Sequence, residues 1–258
     1  TDGDGLSVSA NGSGNILIDA NGAGNDILVN ANVVSGTGHV TLKAADGIDV
    51  AAGVSVTTGT AGTISVDAEG GALTMSGTSV MTATGSSLRL HASKDITVGN
   101  LTATDVSLVS DTGAVINAVG STKNVTATNL RIASDDAVGA SGRHLTTSVS
   151  SLTALSTGTT TSGIYVTEDD AVTVTNVSVV VTDFNADGTT TVVTDASQSD
   201  LTAGLNGNVV LATVAGTVTL TDGTDGDGLA VSANGSGNIL IDANGAGSDI
   251  LVNANVVS

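Results

Sequence analysis

Cysteine, proline and tryptophan are all missing from these 258 residues, and there is a single tyrosine, Tyr165, and a single phenylalanine, Phe184. Without cysteine there is no disulfide framework and no thiolate metal site, although the compartment stays open. Without prolines and with so few aromatics, a string of immunoglobulin-like sandwiches loses its turn residues and its buried ring. Basic residues are scarce as well: six Lys and Arg face 25 Asp and Glu, for a net charge of −19. Such a surface repels phosphate backbones and excludes nucleic acid as a partner. It also keeps a long polymer soluble and attracts divalent cations. No apolar run approaches the length needed to cross a bilayer, so no membrane span is expected here. No signal peptide is visible, which in an internal segment says nothing about export.

Glycine, small polar residues and β-branched residues fill the space. Hydrophobic residues make up 40% of the chain, enough to bury apolar surface in strands, so low complexity does not mean disorder. The 34 glycines have no three-residue period, which excludes collagen. The largest signal is a recurrence. Residues 1–35 return as residues 224–258, offset by 223, with 33 of 35 positions identical; Ser7 becomes Ala230 and Asn25 becomes Ser248. Solvent-facing positions are kept along with apolar ones, which points to recent duplication of a long unit. The expected organisation is one tandem unit, 1–223, followed by the start of the next, 224–258.

A shorter period lies inside the unit. The pattern apolar-x-apolar-x-Ala occurs at Ile16, Val40, Ile64 and Leu88, each 24 residues apart. It continues more loosely at Val106, Leu130, Leu152 and Val172 and returns at Ile239. Alternation of period two puts one face in and one out, while Asn21-Gly22, Asp46-Gly47 and Gly70-Gly71 mark turns between runs. Three short strands per roughly 22 residues predict an all-β, right-handed parallel β-helix, a β-solenoid. About nine to eleven coils are expected per unit, or about 45–55 Å of rise at ~4.8 Å per coil. Strands paired on both sides account for the missing proline. Ala20, Ala44, Ala68 and Ala92 suit tight corners. Residues 171–200 break the pattern and read as two strands around an Asp-Gly turn, a hairpin excursion.

The stretch GNILIDANGAGNDILVNANVVSGTGHVTLKAADGIDVAAGVSVTT resembles the filamentous-haemagglutinin-type repeats of giant bacterial surface proteins. The likeness covers residues 14 to about 134 well and the rest loosely. It implies export, β-helical rods and adhesive or scaffolding roles. The near-identical long recurrence departs from that family and favours repetitive building material over receptor-specific adhesion.

Two acidic motifs point to calcium. Asp183, Asn185, Asp187 and Thr189 place oxygens at alternate positions around Gly188, like the first half of a calcium loop. The twelfth-position acid is missing, so a plain hairpin turn competes. Asp222, Asp225 and Asp227 cluster in DGTDGDG at the unit junction. A stretch like the calcium-binding nonapeptide, Asn21 to Leu28, reads better as a turn. No cofactor is required by this reading, and calcium is the one ion it points to. His39, His91 and His144 lack zinc spacing. Lys43, Arg89 and Lys94 read as solvated face residues. Asn11, Asn124, Asn176 and Asn234 begin glycosylation sequons. With no nucleophile elbow and the basic residues scattered, no enzyme is expected.

The expected function is structural: a long extracellular rod, filament or sheath at the cell surface, with further copies of itself as partners. The alternative is an adhesin stalk or binding module contacting other cells or polysaccharide. The sequence opens mid-alternation at Leu6-x-Val8-x-Ala10 and stops at Asn255-Val256-Val257-Ser258, so the array is expected to run on past both ends, one screw operation relating the two copies.

Overall fold

The computed structural model describes residues 7–158 and 162–258, so Leu6 of the opening alternation lies outside the described residues. No described residue is helical. The chain is all-β with mostly parallel strands, consistent with a β-solenoid-like fold. Three columns of strands share one interior. On the first face Ile16–Ala20, Val40–Ala44 and Ile64–Ala68 stack in register, with Ile16 opposite Val40 and Val40 opposite Ile64. The column continues through Leu88, Val106, Leu130 and Leu152, which lie in the C-terminal halves of Val80–Ala92, Asn100–Ser110, Val125–Ser134 and Leu145–Ser156. The second face stacks Ile27–Val29, Ile48–Val50, Leu73–Met75, Ile96–Val98 and Val115–Asn117. The third stacks Ser7–Ala10, Asn32–Ser35, Ser55–Thr58 and the N-terminal halves of the long strands. Anchors one short period apart in sequence therefore sit in adjacent rungs, and parallel pairing overturns the sandwich alternative.

Alternation decides what is inside. Val40, Leu42 and Ala44 are all fully buried, as are Ile64, Val66 and Ala68 in the rung beside them. After Ala92 the corner alanines give way to serines. Ser110 donates its hydroxyl to the Lys94 carbonyl, and Ser134 and Ser156 donate theirs to the Asp136 carbonyl, so each buried hydroxyl is satisfied. At another corner Gly14, Gly38 and Gly62 lie over one another. A Cβ on Gly38 would strike the Gly14 carbonyl, and one on Gly62 the Gly38 carbonyl. Asn124 is equally enclosed. Its amide donates to the Val98 carbonyl at 2.7 Å and its oxygen accepts from Thr146 N at 2.9 Å. With Asn124 0% exposed, that sequon is closed to a glycan in the folded chain.

The excursion at 171–200 is an antiparallel hairpin, Val177–Phe184 against Thr190–Gln198. It interrupts a first-face rung. Val172–Val174 pairs with Ser151 and Leu152, and Leu201–Ala203 pairs with Ala154 to Ser156, so the hairpin leaves between two halves of one strand position. It then folds back along the first face, across the rungs. Gln198 Nε2 donates to the Ile132 carbonyl, Arg131 Nε to the Ala196 carbonyl, Thr182 N to Thr63 Oγ1 and Phe184 N to Thr41 Oγ1. Eight residues at ~3.3 Å reach about 26 Å, close to the roughly 24 Å of the five rungs crossed. Val177, Val179 and Val181 turn inward and are buried, and beneath the hairpin Ser65, Ser107 and Thr153 are buried too. Arg89 is not the solvated residue expected. Its side chain is 12% exposed, and Nε donates to both oxygens of Asp195 on the hairpin at 3.1 and 3.0 Å.

Counted through Ile16, Val40, Ile64, Leu88, Val106, Leu130, Leu152, Val174 and Leu220, the described part of residues 1–223 has nine rungs on the first face. Eight steps of ~4.8 Å give about 38 Å. This is less than the rise expected from the sequence, because the hairpin residues add no rung.

The duplicated segment keeps its strands and changes its faces. Ile239–Ala243 and Ile250–Val252 are the second copies of Ile16–Ala20 and Ile27–Val29. Yet Ile239–Ala243 stacks on Asn208–Thr213 and, through it, on Gly163–Glu168, with Ile239 in the second-face column of Val115 and Val138 and Ala243 over the third-face end of Leu145–Ser156. Ile250–Val252 and Asn255–Val257 stack instead over the first-face rung of Leu152 and Ala154. The second copy thus sits about half a circuit round from the first.

Candidate metal centre

The interruption that releases the hairpin recurs one rung on. Val218–Leu220 stacks on Val172–Val174, Leu229–Ala233 stacks on Leu201–Ala203, and residues 221–228 loop out between them. That loop, TDGTDGDG, therefore lies beside the root of the hairpin. Gly223, Gly226 and Gly228 take φ of 69°, 75° and 80°, which lets it turn sharply. Asp222 Oδ1 accepts from Gly228 N and Asp227 Oδ1 from Leu229 N, both at 2.8 Å, and these bonds fix the loop. At the hairpin root, the Asp200 carbonyl accepts from Ala154 N and Thr153 Oγ1, both at 2.9 Å.

These two segments bring three carboxylates together. One oxygen each from Asp200, Asp225 and Asp227 lies within 4.8 Å of the others. Asp225 and Asp227 are exposed, whereas Asp200 is 4% exposed, and its Oδ1 is buried without a hydrogen-bond partner. Burial pushes the Asp200 carboxyl up to about 7, helped by repulsion from Asp225, Asp227 and Asp222. No ion pair among the described residues involves any of the four. Three carboxyl oxygens with no nitrogen or sulfur ligand suit a hard divalent ion and offer little to a soft one.

Of the residues singled out from sequence, Asp225 and Asp227 meet, and Asp222 braces their loop. Asp200 was missed. It precedes Asp225 by a whole circuit of chain, and only the stacking of two interrupted rungs brings them together. The other motif forms the hairpin turn. Asn185 Nδ2 donates to Thr189 Oγ1 at 3.0 Å and Thr191 Oγ1 at 2.8 Å, and Asp187 Oδ1 accepts from Thr189 N and Thr189 Oγ1. Those bonds hold the Asp187 carboxyl below its usual value. Asp183 has Oδ1 buried, away from the exposed tip that carries Asp187. Among the described residues, only Asp200, Asp225 and Asp227 form a group of three or more His, Cys, Asp or Glu able to meet at one ion.

Several other titratable groups make rung-to-rung contacts. Glu168, fully buried, accepts from Thr147 Oγ1 at 2.5 Å and Val149 N at 2.9 Å. His39 pairs with Thr63 and His144 with Thr167, one rung away in each case. No family model, curated protein or solved structure matches the chain.

Proposed function

We propose that the chain is a piece of a structural array. Residues 1–223 form one unit of a right-handed parallel β-helix and residues 224–258 open the next. The array serves as an extracellular rod, filament or sheath at the cell surface, with no catalysis and with further copies of itself as neighbours along the chain and at its sides. One observation carries this reading: the 33-of-35 recurrence, in which the second copy rebuilds the strands of the first. Repeating a unit to this fidelity adds length without adding chemistry. The resemblance to filamentous-haemagglutinin-type repeats points the same way. Three interior columns that each rung extends give stability by nearest-neighbour stacking, so units add without a new core. No described helix is long and apolar enough to cross a membrane.

Chains carrying one, two and four consecutive copies of residues 1–223 should appear by electron microscopy as unbranched rods. Their length should grow by about 40 Å per copy, eight and a half coils at ~4.8 Å. Beads joined by flexible links, or no growth in length, would sink the reading.

A further inference from the structure

We propose that Asp200, Asp225 and Asp227 bind one divalent cation of the calcium class, and that the ion fastens the root of the hairpin to the loop where the next repeat unit begins. The ligand set alone is an acidic cluster, and exposed acids gather on a chain of net charge −19 without any ion. What separates this site is Asp200. Its side chain is withdrawn from water, turned toward two other carboxylates, and left with an unpartnered oxygen. A buried carboxylate oxygen with no donor costs free energy that folding ordinarily avoids. Among the described residues no lysine, arginine or backbone amide offsets it, and the neighbouring charges make it worse. A hard cation supplies the partner that the Asp200 oxygen lacks and draws the other two carboxylates to the same point. Calcium accepts six to eight oxygens in flexible geometry, so carboxylates from two loops, completed by water, meet its demand better than they meet magnesium's stricter octahedron.

The placement gives the ion a mechanical role. Asp200 is held on its own rung by Ala154 and Thr153, and the loop of Asp225 and Asp227 belongs to the next rung. An ion shared between them ties hairpin root to junction. The junction half of this statement rests on the repeat reading, since Asp225 and Asp227 correspond in sequence to Asp2 and Asp4 of the first copy, which lie outside the described residues. The binding half does not.

The test is calcium chloride against EDTA at matched ionic strength, with heat of binding from calorimetry and thermal unfolding from circular dichroism. The chain should take up one calcium and unfold at a higher temperature with it. Asp200→Asn, which keeps shape and removes charge, should weaken binding by about tenfold or more and abolish the calcium-dependent rise. Without calcium the same variant should unfold at or above the wild-type temperature, because carboxylate repulsion is relieved. The paired variant Asp225→Asn/Asp227→Asn should lose the rise as well, while Asp187→Asn at the hairpin tip should keep it. General screening of a strongly acidic chain would survive loss of one carboxylate. A rise that persists in Asp200→Asn, or no binding by the wild type at millimolar calcium, overturns the proposal. Neither result bears on rod length, so the site and the array fail separately.

Discussion

Glycine at the corners carries more than turn chemistry. Gly38 has no room for a side chain because the Gly14 carbonyl lies where Cβ would go, whereas Gly53 has open space but a φ of 73°. Gly38→Ala should therefore cost about 1–3 kcal/mol as overpacking that spreads into the neighbouring rung. Gly53→Ala should cost about 1 kcal/mol, from backbone strain alone. Denaturant midpoints would separate the two, and equal losses would refute the stacked-corner account. His91 makes a second residue-scale prediction. Its Nδ1 lies 2.7 Å from Asp67 Oδ1 and its Nε2 lies 3.1 Å from Asp111 Oδ1, in adjacent rungs. The Asp67 hydrogen bond raises the His91 pKa above 6.5 despite burial; burial pushes Asp67 up, but the His91 bond and charge outweigh it and leave that carboxyl below 3.8. Stability from the raised histidine is complete below pH 6.5 and fades as pH climbs through its folded value. Stability from the lowered carboxylate is present above 3.8 and fades as pH falls through its own. The thermal midpoint should thus drop from pH 6.5 upward, and His91→Gln should flatten that limb. A limb unchanged in the variant would assign the dependence elsewhere.

At the scale of the element, the hairpin is held by its contacts with the rod and not by its own sheet, since two strands alone are marginal in water. Arg89→Ala would leave Asp195, 11% exposed, without its partner. The hairpin should then open more often, and chymotrypsin should cut at Phe184, near its far end, about tenfold faster for each 1.4 kcal/mol lost. Cutting that stays at the wild-type rate would show that the valines alone hold it down. Much of this element was legible. The Asp-Gly turn and the flanking alternation predict a hairpin within 171–200, and the regular anchor spacing predicts which anchors stack, because both are local patterns with a fixed period. Where the hairpin lies was not legible. Arg89 and Asp195 are 106 positions apart, and nothing in the spelling of either marks the other. Outward Ser65, Ser107 and Thr153 read as ordinary exposed strand residues, yet their small size is what lets a second layer settle on the first face. Asp200 went unseen for the same reason: its partners come from a different rung, and no periodic signal links them.

For the whole molecule, the half-circuit offset between copies sets an alternating layout that no single unit reveals. In an array of these units, a hairpin on one side of the rod is followed about 40 Å along, at ~4.8 Å per coil, by one on the opposite side, as leaves alternate up a stem. The true axial repeat is then two units, about 80 Å at ~4.8 Å per coil, and not one. Diffraction or averaged images of aligned rods should show a layer line at that doubled spacing, and one at the single-unit spacing alone would contradict the offset. Two opposed rows of projections lie in a plane. Rods that met through them would add sideways in two directions and leave the remaining flanks smooth, giving a flat fabric in place of a round cable.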